Sequence, residues 1–125
     1  TIDRINIFQA TRQAMTIAVN GIVPLPDHLL IDGKIYLDLE LAQTPIIKGD
    51  RLSFSVAAAG ILAKVTRDRL MRELHEQYPQ YGFDSHKGYA TSAHREAICR
   101  YGPSPVHRKY FRGVREYLAM PLFNP

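Results

Sequence analysis

Between Phe54 and Leu74 apolar residues return at steps of three and four: Phe54, Ala57, Ala58, Ile61, Leu62, Val65, Leu70 and Leu74. That period draws an apolar face along one helix. The spacing predicts a helix from about Ser53 to Gln77, stopped by Pro79, with this face in a core. Ala57-Ala58-Ala59-Gly60 is a small-residue patch that would let another backbone approach closely. Gly60 costs roughly 1 kcal/mol against alanine inside a helix. Just ahead, Ile46-Ile47-Lys48-Gly49-Asp50 reads as a strand over Ile46–Lys48, a tight turn and a helix start. Asp50 then stands before a helix N-terminus. A carboxylate there either caps free N–H groups or is held to bind a cation.

The chain opens on helical periodicity, with Ile7, Phe8, Thr11, Ala14, Met15, Ala18 and Val19 on one face, Asp3 as N-cap and Gly21 as the stop. Val23-Pro24-Leu25-Pro26-Asp27 is a connector, because two prolines do not fit a helix interior. His28-Leu29-Leu30-Ile31 reads as a buried strand ending in Asp32-Gly33, a pair that by itself signals a turn. Leu37, Leu39 and Leu41 alternate with Asp38 and Glu40, which allows an amphipathic strand over Ile35–Leu41, the alternative being an irregular connection. Beyond the long helix, Gln80–Ala90 reads as a loop punctuated by Gly82 and Gly88. Thr91 caps a helix over Ser92–Arg100 that Gly102-Pro103 ends, and a last short helix falls within Phe111–Leu118.

A chain of 125 residues makes one domain or part of one. No apolar stretch approaches the ~20 residues that a membrane span needs. A single cysteine, Cys99, excludes an internal disulfide; it is expected as a small core residue in a cytoplasmic protein. Charge is uneven. Residues 1–63 hold five Lys/Arg and six Asp/Glu, a net of −1, whereas residues 64–125 hold eleven and six, a net of +5. From His86 to Arg115 seven basic residues face one acid, Glu96, with Tyr89, Tyr101, Tyr110 and Phe111 among them. Basic residues interleaved with aromatics suit phosphate contact and stacking on bases or sugars. They equally suit a solvated basic surface.

Five blocks carry a family resemblance: Lys48-Gly49-Asp50, the run Ala57–Asp68, Tyr78–Phe83, His86-Lys87-Gly88-Tyr89 and Tyr101–Arg108. In this order they resemble bacterial ribonuclease HII, the type 2 ribonuclease H family, over nearly the whole chain to about Val114. The resemblance implies an endoribonuclease acting on RNA/DNA hybrids and on ribonucleotide-containing duplex DNA. Such chemistry activates a water and stabilises the leaving oxygen, commonly with two hard divalent ions, Mg²⁺ or Mn²⁺, held by carboxylates. Of the family's four carboxylates, Asp32 matches the apolar-Asp-Gly strand end and Asp50 the Lys-Gly-Asp turn. Asp68 maps to a helix position and reads as structural.

The family's adjacent Asp-Glu pair and its Gly-Arg-Gly occur nowhere in this sequence. The resemblance therefore implies a C-terminal piece of a ribonuclease-H-like α/β fold, with two short strands and a mostly helical remainder. Residues 1–85 are expected as an incomplete catalytic core and residues 86–125 as a basic, helical substrate-binding segment. Alone, the chain is expected to be inactive and open to self-association through uncovered edges, the intact enzyme being a monomer. Tyr89 resembles the tyrosine that stacks on a sugar beside the cleaved ribonucleotide. Lys48, Lys87 and Arg108 are candidate phosphate contacts, and His107-Arg108 serves equally well to fold the C-terminal segment. His75 and His94 lack metal-ligand companions and read as surface or core residues. Gly60 and Tyr110 stand where the family usually has serine. The rival reading is a non-catalytic helical nucleic-acid-binding module.

Overall fold

A computed structural model describes residues 2–119. The order is helix α1 (Ile2–Asn20), strands β1 (His28–Asp32) and β2 (Ala42–Ile46), a one-turn helix α2 (Gly49–Leu52) and the long helix α3 (Phe54–Gln77). A 3₁₀ turn (Pro79–Tyr81), one-turn helix α4 (Phe83–His86), α5 (Ser92–Tyr101) and one-turn α6 (Arg115–Leu118) follow. The class is α/β, as expected. The chain forms two compact units that divide inside α3, between Ala63 and Lys64.

In the first unit α1 is interrupted at Asn6, whose φ of 65° and ψ of 169° are not helical. Its side chain takes the capping role by accepting a bond from the Gln9 N–H at 3.1 Å. The expected cap, Asp3, falls in the first turn instead. Gly21 ends the helix as expected, its N–H meeting the Ile17 and Ala18 carbonyls.

β1 and β2 pair in parallel, with His28 opposite Ala42 and Asp32 opposite Ile46. β2 thus lies earlier than the expected Ile46–Lys48 and contains Pro45, opposite Ile31. A two-stranded sheet has only edge strands, where the N–H that proline lacks is not required. The alternating segment Ile35–Leu41 is an irregular connector and not a strand. The Gln43 side chain has taken its backbone groups: it accepts from the Leu37 N–H at 2.8 Å and donates to the Leu37 and Leu39 carbonyls. Leu37 is buried there, as is Ile31 of β1.

α3 starts where Ser53, in extended conformation, accepts from the Val56 N–H, and it ends before Pro79. Its expected apolar face is only slightly covered. Within α3 Val56 alone is buried, whereas Phe54 is 91% exposed and Leu62 71%. Helical periodicity records a face suited to burial and not what covers it. Nothing lies within 4 Å of a Cβ placed on Gly60, so no other backbone approaches the patch at that residue among the described residues.

The second unit has a core of Tyr81, Phe83, Ile98 and Val114, bordered by Met71 and Leu74 of α3 and by Tyr78, Ala97, Tyr117 and Leu118. Tyr81 stacks on Phe83 at 5.5 Å, and its hydroxyl donates to the Gly102 carbonyl at 2.8 Å. Burial raises its pKa, which keeps that donor protonated. Thr91 caps α5 by accepting from the His94 N–H, as expected. The expected loop Gln80–Ala90 contains α4. Cys99 is exposed, contrary to the core role expected of it: Ile98 and His94 supply the buried face of α5.

Candidate active-site carboxylates and a basic tyrosine loop

Parallel strands end on the same side, so β1 and β2 bring Asp32 and the turn after Ile46 to one edge. The Gly33 N–H continues the ladder to the Ile46 carbonyl at 2.9 Å. Its φ of 105° makes glycine the fitting residue after Asp32. The Asp32 carboxylate then closes the site: its Oδ1 accepts from the Gly49 N–H at 2.8 Å. Asp50 is the next residue. Both aspartates are exposed, whereas Gly49 between them is buried. A Cβ on Gly49 would stand 3.0 Å from a Val56 methyl and 3.3 Å from Asp32 Oδ1, so the approach needs a residue without a side chain.

Lys48, just ahead, has a φ of 56° and ψ of 44°. A left-handed non-glycine residue carries strain of about 1–3 kcal/mol. Asp50 sits in the first turn of α2 instead of capping the long helix, a task that falls to Ser53. Asp32, Lys48 and Asp50 are thus gathered in the first unit. Both carboxylates offer the hard oxygen donors that Mg²⁺ or Mn²⁺ accept, so the donor chemistry fits. Among the described residues no group of three His, Cys, Asp or Glu is placed to hold a metal ion.

The second unit holds the other predicted contacts. Lys87 and Gly88 both have positive φ, 50° and 80°, and this turn presents Tyr89, which is 63% exposed. The Tyr89 N–H donates to the His86 carbonyl at 2.9 Å; its own carbonyl accepts from the Thr91 N–H at 2.9 Å and faces His94 Nδ1 at 3.0 Å. Lys87 Nζ donates to the Asp84 carbonyl. Arg108 is exposed on the turn that follows His107. Asp68 pairs with Lys64 at 2.8 Å, and that hydrogen bond, joined by the charges of Lys64, Lys87 and Arg72, lowers its pKa.

Sequence reasoning missed two features here. The first is a histidine cluster. His86 stacks on His94 at 4.1 Å between centroids, and His94 Nε2 lies 3.0 Å from His107 Nε2. His107 Nδ1 accepts from the Ser104 N–H, so its proton sits on Nε2 and is donated to His94. His94 then donates through Nδ1 to Tyr89. The Gly88 N–H donates to His86 Nδ1, so His86 donates through Nε2 to the Tyr81 carbonyl. His94 and His107 thereby satisfy each other, whereas His86 finds its partners in Gly88 and Tyr81 and only stacks on His94. Burial lowers the pKa of His94, and burial with the neighbouring His94 brings His107 down to about 4. The second feature is Arg67, read from sequence as part of a charged face, whose guanidinium meets Tyr89 and Lys87.

Comparison with known proteins gives the family. The model for Ribonuclease HII matches residues 1–114. The chain belongs to the ribonuclease HII family. It is 57% identical over 117 residues to a ribonuclease HII of Geobacter sulfurreducens, which covers 94% of this chain and 54% of that protein. The figures are 56% identity, 92% and 44% for that of Shouchella clausii, and 53%, 95% and 55% for that of Chlamydia pneumoniae. The chain spans about half the length of the curated relatives it matches. Two parallel strands with a mostly helical remainder correspond to part of a ribonuclease-H-like fold. No helix among the described residues is long and apolar enough to cross a membrane.

Proposed function

We propose that this chain is the C-terminal part of a divalent-metal-dependent endoribonuclease. It acts on RNA in RNA/DNA hybrids and incises 5′ of ribonucleotides embedded in duplex DNA. Water attacks phosphorus and the 3′ oxygen leaves, giving 3′-hydroxyl and 5′-phosphate ends. The observation that carries this reading, beside the family match, is the Asp32–Gly49 hydrogen bond, which ties one carboxylate to the residue preceding the other. Asp32 and Asp50 would hold the cation, Mg²⁺ or Mn²⁺; bound there, it supplies charge neutralisation at the scissile phosphate. Lys48, Lys87 and Arg108 provide positive charge for the backbone of the duplex. The exposed ring of Tyr89 stacks on the sugar beside the ribonucleotide, whose 2′-hydroxyl is the chemical difference to be read.

The region 86–125 is the substrate-binding segment in this reading, and 1–85 belongs to the catalytic core. Two carboxylates are a partial set, so the chain alone does not cleave; incubating it with Mn²⁺ or Mg²⁺ and a labelled hybrid should leave the hybrid intact. The deciding experiment is Asp32→Asn in the full-length protein. Cleavage should fall by on the order of 10³-fold or more, because several kcal/mol of charge stabilisation are lost, while hybrid binding persists. Unchanged cleavage would reduce Asp32 to a turn residue and overturn the assignment.

A further inference from the structure

Tyr89 is held from several sides. Arg67 Nη1 donates to the Tyr89 hydroxyl at 3.0 Å, and Nη2 donates to the Lys87 carbonyl at 2.7 Å. The guanidinium carbon stands 4.6 Å from the centroid of the Tyr89 ring. One planar fork thus spans the phenol and the backbone two residues before it, a task for which a lysine ammonium has the charge but not the geometry. The left-handed turn at Lys87 and Gly88 puts the Lys87 carbonyl within this reach. The backbone of Tyr89 is fixed separately by His86, Thr91 and His94. Without Arg67 the backbone would stay where it is, but a ring that is 63% exposed would lose its hydroxyl partner and the guanidinium over its face.

We propose that Arg67 is a positioning residue for substrate recognition. It occupies one face of the Tyr89 ring and its hydroxyl, and so presents the opposite face, in a single orientation, to the sugar of the ribonucleotide site. This rests on the stacking role given to Tyr89 above. Arg67 is itself exposed, so its replacement leaves the core untouched. The competing account of an exposed arginine in a nucleic-acid-binding protein is direct contact with a phosphate, and the two accounts predict different results.

The test has two arms, both on the full-length protein of which this chain is a part. In the first, the protein carries tyrosine labelled with ¹³C at the ε carbons, and Tyr89→Phe identifies the Tyr89 signal by NMR. Arg67→Ala and Arg67→Lys should both move that signal toward the position of a free tyrosine and leave the Tyr81 signal in place. An unmoved Tyr89 signal overturns the positioning role, whether or not the protein binds duplex.

In the second arm, fluorescence anisotropy compares a duplex holding one ribonucleotide with the same duplex in DNA. Tyr89→Ala, Arg67→Ala and Arg67→Lys should each reduce the preference for the ribonucleotide by about tenfold. Arg67→Ala should cost nothing further once Tyr89→Ala is present. Additive losses, or full preference retained by Arg67→Lys, would make Arg67 a phosphate contact and overturn the proposal. If Tyr89→Ala leaves the preference intact while Arg67→Ala moves the ring signal, the stacking role of Tyr89 is what fails, and the recognition role of Arg67 fails with it.

Discussion

The carboxylate of Asp32 accepts a hydrogen bond from the backbone N–H of Gly49 at 2.8 Å, across a turn that begins at Ile47. This bond joins the end of β1 to the start of α2 and holds Asp32 against the residue that precedes Asp50. It depends on Gly49 having no side chain, since an added Cβ would press on Val56 and on the carboxylate oxygen itself.

Gly49→Ala should therefore destabilise the chain by about 1–3 kcal/mol through overpacking. Urea unfolding should register the loss as a lower midpoint at unchanged slope. In the full-length protein the same change should lower cleavage more than hybrid binding, because it displaces Asp32 and spares the basic segment.

Lys48 occupies a left-handed conformation, with φ of 56°, directly before Gly49. Lys48→Gly relieves that strain at some cost in chain entropy, and stability should rise by up to about 1 kcal/mol. If Lys48 contacts phosphate as proposed, affinity for the hybrid should drop at the same time, and the salt dependence of binding should become shallower by close to one ion. A gain in stability with unaltered affinity would remove Lys48 from the contact set.

The neutral histidine cluster predicts a pH dependence of stability. His107 titrates at about 4 in the fold, against an ordinary 6.5, mainly because of burial, and burial shifts His94 in the same direction. Between those values the unfolded chain binds more protons than the folded one. Stability is then complete above pH 6.5 and declines as the pH falls toward 4, by at most about 1.4 kcal/mol per pH unit for each ring. Solvent screening of the half-buried His107 reduces that figure. Melting temperatures between pH 7 and pH 4.5 should show the decline, and His107→Gln should flatten it.

Asn6 combines an unusual backbone conformation with a side-chain cap for the helix that follows. Asn6→Ala should cost about 1 kcal/mol or more, having neither the cap nor tolerance of positive φ. Asn6→Gly, which accepts the backbone conformation, should cost only a few tenths. Helical circular dichroism during urea titration would separate the two.

Much of the secondary structure was legible because its signals are local. Pro79 stops α3, Thr91 caps α5 and Gly21 closes α1, each through atoms within a few residues. β2 was placed too late because Pro45 looks like a boundary, and nothing nearby says that its strand lies at an edge. Ile35–Leu41 has strand alternation, yet the Gln43 amide occupies the backbone groups a strand would have offered. Cys99 and the α3 face misled for a related reason: periodicity indicates which side of a helix is apolar and is silent on what packs there.

The order of the five motif blocks, with the apolar-Asp-Gly end of Leu30–Gly33, sufficed for the family, the candidate aspartates and the candidate tyrosine, since each is a property of neighbouring residues. Only the tertiary structure decided that an Asp32 oxygen is bound to Gly49, that His94 and His107 share a proton, and that Arg67 grips Tyr89. Those relationships join residues from 13 to 22 positions apart. Their geometry follows from how strands, turns and helix ends bring distant atoms within hydrogen-bonding reach, and no spacing along the chain encodes it.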